Sequence, residues 1–337
     1  MTLDLSIIVP AFNEAPRLAD GFKRFDAAVA DGAIDLDRTE VVFVDDGSTD
    51  QTAATARALL ASLPHHRVVS HSRNQGKGSA VRTGVTMAAG ACTAYMDADF
   101  AIDPRAVPRL LEGLRTSDVV IGSRALPDSM VETRYALRAV MGSLFNRLVT
   151  TGTGLGLHDT QCGFKAFRTP AARLLFQLVG IDRFAFDVEI LTRARRLGLR
   201  IAEVPVQWRH VSGSTIHPMH DSLSMIADVY RSRLGLVPAR LVPVLTVRSS
   251  DGPGPPGLTD RVGEVVADTL ADTPVPVVTG RRSATVLLPL VGPADIAAVQ
   301  AALGAEFGSG AVTRREHSLS QLISLGPLGG RLDHPRR

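Results

Sequence analysis

Asp97, Asp99 and Asp103 crowd three carboxylates into seven positions, directly after the apolar run "CTAYM" at 92–96. Like charges repel, and withdrawing them from water adds a further cost, so such crowding calls for a compensating partner. Asp97 and Asp99 flank one small residue, Ala98, at the end of a strand-like segment. Both can therefore turn toward a single point, where a divalent cation would cancel their repulsion and bridge to phosphate oxygens. Asp103 reads differently, because Pro104 follows it, and that pairing is typical of a helix N-cap and its first helical residue. An isolated Asp-x-Asp is also common in solvated turns, so the surrounding elements decide its meaning.

Those elements alternate. "LDLSIIVPAF" is strand-length and apolar, followed by Asn13 as an expected N-cap, Pro16 in the first turn, and Leu18, Phe22, Phe25 and Val29 at helical spacing. "TEVVFVDDGSTDQTAATARALLA" repeats the plan, and Ser48 with Gln51 is expected to form a capping box. The alternation continues through "HRVVSHS", a helix after "NQGKGSA", the strand ending at the acid pair, a helix from Pro104, and the strand "SDVVIGSR". Nearly continuous apolar strands separated by helices predict an α/β fold with a mostly parallel sheet covered on both faces. Ligands in such sheets bind beyond the carboxyl ends of the strands, which here read Pro10 to Glu14, Asp45 to Ser48, Asp97 to Asp99 and Gly122 to Arg124.

After residue 130 the pattern changes. "TRYALRAVMGSLFNRLV" and "PMHDSLSMIADVYRSRL" are amphipathic, with Arg134, Arg138, Arg147, Arg231 and Arg233 beside apolar residues; they read as packed surface helices or as a membrane-interface pair. "SSDGPGPPGLTD" has linker composition. Beyond it, "RSATVLLPLVGPADIAAVQAALGAEFG" reads as strand then helix, and "SQLISL" as a final strand. The expected division is a main domain over 1–245, a Pro/Gly-rich linker over 246–272 and a small α+β appendage of unassigned chemistry over 273–330.

Composition narrows the classes. With 45% hydrophobic residues the chain can bury a sizeable core. Its net charge is +3, no basic stripe accompanies it, and no nucleic-acid partner is expected. Lysine occurs only at 23, 77 and 165. Cys92 and Cys162 lack metal-ligand spacing and read as free thiols of a reducing compartment, with a disulfide as the alternative. No signal-like segment precedes the first strand, and no apolar run approaches the roughly 20 residues needed to span a bilayer. A cytoplasmic protein is expected, with peripheral contact at the inner membrane face if the amphipathic segments serve that purpose.

The motifs "IIVPAFNEAPRL", "VVFVDDGSTD", "NQGKGSAVRTG", "DADFA", "IGSR", "DTQCGFKAF", "RFAFDVEIL" and "EVPVQWRHVSGS" occur in the order of one family. From about residue 4 to 236 the sequence resembles glycosyltransferase family 2, nucleotide-sugar transferases of the Rossmann-like GT-A fold. Within it, the resemblance is to dolichyl-phosphate and bacterial polyprenyl-phosphate glucosyltransferases.

That resemblance implies roles. Pro10, Ala11, Glu14, Asp45 and Asp46 would hold the nucleoside, with Ala98 beside the donor, and Lys77, in a Gly-flanked loop ahead of a helix, suits a diphosphate. Asp97 and Asp99 would ligate Mg2+ or Mn2+. The mannosyl-phosphate branch has a glutamine where this chain has Ala101, which favours UDP-glucose as donor over GDP-mannose. Arg124, Lys165 and Arg168, with Ser214, would dock a polyprenyl phosphate acceptor. A phosphate monoester, with its second pKa near 6, is already nucleophilic at neutral pH. A soluble hydroxyl acceptor would instead need a base, for which Asp187 is the candidate, with Glu189 in support. His210, beside Trp208, would shape the acceptor loop. A nucleotide-sugar-binding protein without turnover is the alternative outside enzymes.

Overall fold

The computed structural model describes residues 3–132, 146, 149–151, 153–211, 225, 227–232, 237, 240–248, 257–270, 275–279, 283–325 and 328. The first half alternates strand and helix: β1 (Leu5–Ala11), α1 (Ala15–Ala30), β2 (Thr39–Asp45), α2 (Thr52–Leu60), β3 (His66–Ser70), α3 (Lys77–Met87) and β4 (Cys92–Met96). A 3-10 turn (Pro104–Ala106), α4 (Val107–Gly113), β5 (Val119–Ser123) and β6 (Met130–Glu132) follow. Then come β7 (Phe164–Arg168), α5 (Thr169–Leu178), α6 (Phe186–Arg196), β8 (Ile201–Pro205) and β9 (Gln207–Arg209).

Seven of these strands form one sheet in the order β3-β2-β1-β4-β7-β5-β8. Its sides are buried by alternation: Ile8, Val42, Val44 and Tyr95 pack toward α3, α5 and α6, while Ile7, Val9, Val41 and Phe43 pack toward α1 and α2. The expected parallel order is interrupted once. β7, carrying "FKAFR", runs antiparallel between β4 and β5. Strand order reverses direction between β1 and β4, so the acid pair after β4 lies at the topological switch point of the sheet.

The C-terminal part is β10 (Val242–Arg248), α7 (Leu258–Thr269), β11 (Val277–Thr279), β12 (Ser283–Leu287), α8 (Pro293–Phe307), β13 (Val312–His317) and α9 (Leu319–Ser324). This βαββαβ succession makes an antiparallel sheet ordered β11-β12-β10-β13, the ferredoxin-like arrangement. Leu245 and Val247 face a core with Val262 of α7 and Val299 of α8, whereas Val242 and Val244 join the core of the seven-stranded domain.

Local expectations changed in several places. Strand β10 and helix α7 both fall partly or wholly in the stretch expected as linker. "SQLISL" is helical because Ser318 and Gln321 form a reciprocal capping box ahead of it. Ser48 and Gln51 form none: α2 starts at Thr52, and the Ser48 hydroxyl accepts the Asn13 amide instead. Asn13 does not cap its own helix either; it has φ +53°, and its side-chain carbonyl accepts the Thr49 amide. The amides of Glu14 and Ala15 at the start of α1 donate to Thr52 Oγ1 at 2.8 and 3.0 Å, so the first two ligand-edge loops cap one another. Asp103 accepts the Arg105 amide as an N-cap, in keeping with its reading from sequence. The amphipathic segments fall largely outside the described residues, as does Ser214.

Candidate active site

Asp97, directly after strand β4, lines a cleft of about 250 Å³ together with Lys77, Ala101, Arg124, Asp187 and Trp208, and Asp99 stands two residues further along the same loop. Lys77, the first residue of α3, forms an ion pair with Asp97 Oδ1, its side chain 17% exposed. Burial works against the Lys77 charge, but the Asp97 and Asp187 carboxylates outweigh it and raise its pKa above the ordinary lysine value. Burial, and next the Asp97 charge, push the Asp99 carboxyl upward. Asp99 Oδ1 accepts the Ala101 amide at 3.0 Å.

An acid whose carboxyl is pushed upward by burial and by an adjoining carboxylate is part of a donor set that a hard cation relieves. Among the described residues no group of three or more His, Cys, Asp or Glu side chains is arranged to hold a metal. Asp97 and Asp99 therefore fit a cation that takes its other ligands from phosphate oxygens and water, as magnesium-type sites do.

Glu14, in the loop after β1, adds a third acid nearby. Its Oε1 pairs with Arg17 at 2.5 Å, while its buried Oε2 has no partner. Burial pushes its pKa up to about 7; Arg17 opposes this, and Asp99 and Asp97 reinforce it. Pro10 and Ala11 end β1 beside it, both buried. Asp45 accepts the Ser48 amide at 3.1 Å. Asp46 is committed internally: its carboxylate accepts from His71 Nδ1 at 2.7 Å and from the Gln75 and Gly76 amides at 2.9 and 2.7 Å. Its position thus sets the loop that carries Lys77, rather than presenting an open acid to a nucleoside. Ala98 is buried, and its carbonyl would lie 2.8 Å from a Cβ on Gly21 of α1.

Of the cations expected at the acceptor, Arg124 alone lines the cleft. Asp159 holds it in a fork, Nε to Oδ2 at 2.7 Å and Nη2 to Oδ1 at 3.0 Å, and this pairing outweighs burial to raise its pKa further. Lys165 is fully enclosed. It stands opposite Tyr95 across the β4–β7 pair, and Lys165 Nζ and Tyr95 Oη both donate to Asp187 Oδ1 from below. Arg168 is three residues along β7, on the other side of the sheet, and pairs with Cys92 at the start of β4. That is the edge remote from the acids, so neither Lys165 nor Arg168 presents a charge to an acceptor here.

Asp187 enters the cleft wall from the first turn of α6. Glu189, two residues on, is turned away: its carboxylate accepts the Gly180 and Ile181 amides, Arg193 and the Ser232 hydroxyl. It anchors α6 and does not reach the cleft. His210 packs near Trp208, with ring centroids 6.2 Å apart.

Besides Asp159, which holds Arg124, two contributors were not singled out from sequence. Tyr95 is one, and its signal was its place two residues before Asp97 on a strand, which puts both on one side of the sheet. Gly163 is the other: a Cβ there would come within 2.0 Å of Asp97 Oδ2, so any larger residue just ahead of β7 would force the carboxylate to move.

The chain is similar to several known glycosyltransferases. The chain is 37% identical over 248 residues to the dolichyl-phosphate beta-glucosyltransferase of Dictyostelium discoideum, covering 68% of this chain and 73% of that protein. It is 36% identical to the mouse dolichyl-phosphate beta-glucosyltransferase, covering 69% of this chain and 76% of that one. Among solved structures it is similar to glucosyl-3-phosphoglycerate synthase from Mycobacterium tuberculosis crystallised with Mn2+, UDP-glucose and phosphoglyceric acid. That similarity has a TM-score of 0.53 at 22% identity and covers 70% of this chain and 81% of the other, a likeness of fold. The fold is the GT-A architecture, and residues 6–176 match the family described as Glycosyl transferase family 2, to which this chain, a glycosyltransferase, therefore belongs.

Proposed function

We propose that the protein transfers glucose, with inversion, from UDP-glucose to a polyprenyl phosphate, using a divalent cation. The observation that carries the donor half is the meeting of Asp97, Asp99 and Lys77 at the switch point of the sheet. Asp97 and Asp99 would hold the cation, which when bound neutralises the departing diphosphate. Lys77, held charged by Asp97 and Asp187, supplies a second positive group on the same side.

The acceptor half rests on Asp187 and on the named relatives. Its Oδ1 is already engaged as the acceptor of hydrogen bonds from Lys165 Nζ and Tyr95 Oη, which leaves that oxygen committed to holding the wall of the cleft. A phosphate acceptor needs no base. Its oxygen attacks the anomeric carbon, the bond from that carbon to the diphosphate oxygen breaks, and the electron pair leaves with UDP. Arg124, fixed by Asp159, is the cation in the cleft wall suited to dock that phosphate. The relatives that share 36–37% identity are named for transfer to dolichyl phosphate.

A second reading is transfer to a soluble hydroxyl, favoured by the presence of Asp187 in the cleft lining. Among the described residues no helix is long and apolar enough to cross a membrane, so a lipid acceptor would have to be met at the surface. The deciding experiment offers the purified protein a panel of nucleotide sugars with Mn2+ or Mg2+, with and without polyprenyl phosphate, and identifies products by mass. The expected product is a glucosyl phospholipid; glucose transfer to water-soluble acceptors alone would overturn the reading.

A further inference from the structure

A second cleft, of about 550 Å³, lies on the other side of α6 from the catalytic one. Val188 lines it while its neighbour Asp187 lines the catalytic cleft, so the helix separates the two. Its rim is unusually basic. Arg193, Arg195 and Arg196 border it, and the single acid there, Glu189, is buried and fully engaged by Arg193, Ser232 and two backbone amides. Arg193 is neutralised by that pairing. Arg195 and Arg196 are exposed and have no acidic partner among the described residues. Val188 and Val229 give the interior an apolar element.

Two uncompensated guanidinium groups on successive residues repel one another, and an anion between or beside them removes that repulsion. Their planar forks match phosphate oxygens in pairs. The cleft is also larger than a bare phosphate requires, and its valines suit an apolar substituent. We propose that this cleft is a second binding site, distinct from the catalytic one, for a phosphate-bearing ligand held by Arg195 and Arg196. The chemistry is shared by an anionic phospholipid headgroup and by a soluble phosphate compound. The proposal does not depend on the donor or acceptor assigned above.

The test measures co-sedimentation of the full chain with phosphatidylcholine vesicles, with and without phosphatidylglycerol, and thermal stabilisation by inorganic phosphate. The variants are R195Q/R196Q, the charge-retaining R195K/R196K, and a control, R57Q/R109Q, which removes equal charge from exposed positions elsewhere. Binding to phosphatidylglycerol vesicles that falls on the order of 10- to 30-fold in R195Q/R196Q, falls less in the lysine pair, which keeps the charge but loses the forks, and is kept in the control, supports the proposal with a headgroup as source. Stabilisation by phosphate alone, lost in R195Q/R196Q but kept in the control, supports it with a soluble source. Absence of both effects in the wild type, or equal losses in R195Q/R196Q and the control, overturns it.

Discussion

Lys165 and Asp187 form a 2.5 Å ion pair beneath the catalytic cleft, with the lysine wholly enclosed. The ammonium has one further acceptor, the Cys162 carbonyl at 2.7 Å. Removing one partner of a buried pair leaves the other charge uncompensated, at a cost of about 3–5 kcal/mol. Lys165→Met should therefore lower stability by that amount, read from the midpoint of urea unfolding. An unchanged midpoint would mean that Asp187 has water or another cation to fall back on. Replacing an acceptor-docking lysine would instead raise the acceptor KM and leave the midpoint alone, so the one variant separates the two roles.

Gly163 and Asp97 make a tighter demand. A methyl group at 163 would sit 2.0 Å from Asp97 Oδ2 and 3.0 Å from Oδ1, and the carboxylate has to move to admit it. Since a displacement of about 1 Å at a reacting group costs on the order of 100-fold in rate, Gly163→Ala should cut transfer by about that factor while the protein remains folded. Steady-state assays beside circular dichroism check it; near-normal turnover would show that Asp97 is free to relocate.

Asp99→Asn tests the cation. It keeps one oxygen at a residue proposed to hold the cation but removes the charge that burial and Asp97 disfavour. The expected result is loss of Mn2+-dependent transfer by at least about 100-fold, with Mn2+ affinity weakened in a titration monitored without substrate. A variant that turns over normally in the presence of chelator would sink the assignment.

Much of this site was legible in the sequence, for reasons visible residue by residue. Asp97, Asp99, Lys77 and Arg124 all sit at strand ends or helix starts set by apolar periodicity, and a strand end is where an α/β sheet places its ligand edge. Lys165 and Arg168 misled because period-2 geometry alone decides their fate once "FKAFR" is a strand. Residues three apart on a strand point to opposite sides, and antiparallel pairing carries Arg168 to the far edge. The strand itself was hidden, because nothing local to "GFKAF" announces an antiparallel insertion between two parallel strands. Ser48 misled for another reason: its partner, Asn13, lies 35 residues away, beyond the reach of a local capping rule.

Glu14 predicts a pH dependence. Its folded pKa stands at about 7 against an ordinary 4.5, raised first by burial and then by Asp99 and Asp97. A raised carboxyl contributes stability that is complete below pH 4.5 and is lost as pH rises toward 7, because the unfolded chain ionises first. In the metal-free protein, unfolding free energy should fall across that window and then level off. Glu14→Gln should remove about 2 kcal/mol of that slope, allowing for partial solvent access. Urea titrations at several pH values across the window check this. Parallel curves for wild type and variant would show that Glu14 ionises freely.

Asp187→Asn decides between the two acceptor chemistries. If a hydroxyl must be deprotonated, loss of the carboxylate removes a general base and costs on the order of 100- to 10,000-fold in kcat. With a phosphate acceptor the nucleophile is already charged, and the variant should lose less than about 10-fold per folded molecule. The pH–rate profile should then follow the second ionisation of the acceptor phosphate, near 6, in wild type and variant alike. Because the substitution also leaves Lys165 enclosed without its counter-charge, the assay has to be run below the variant's melting temperature and normalised to folded protein. A profile whose acidic limb disappears in the variant would assign Asp187 as the base and shift the acceptor from a phosphate to a hydroxyl.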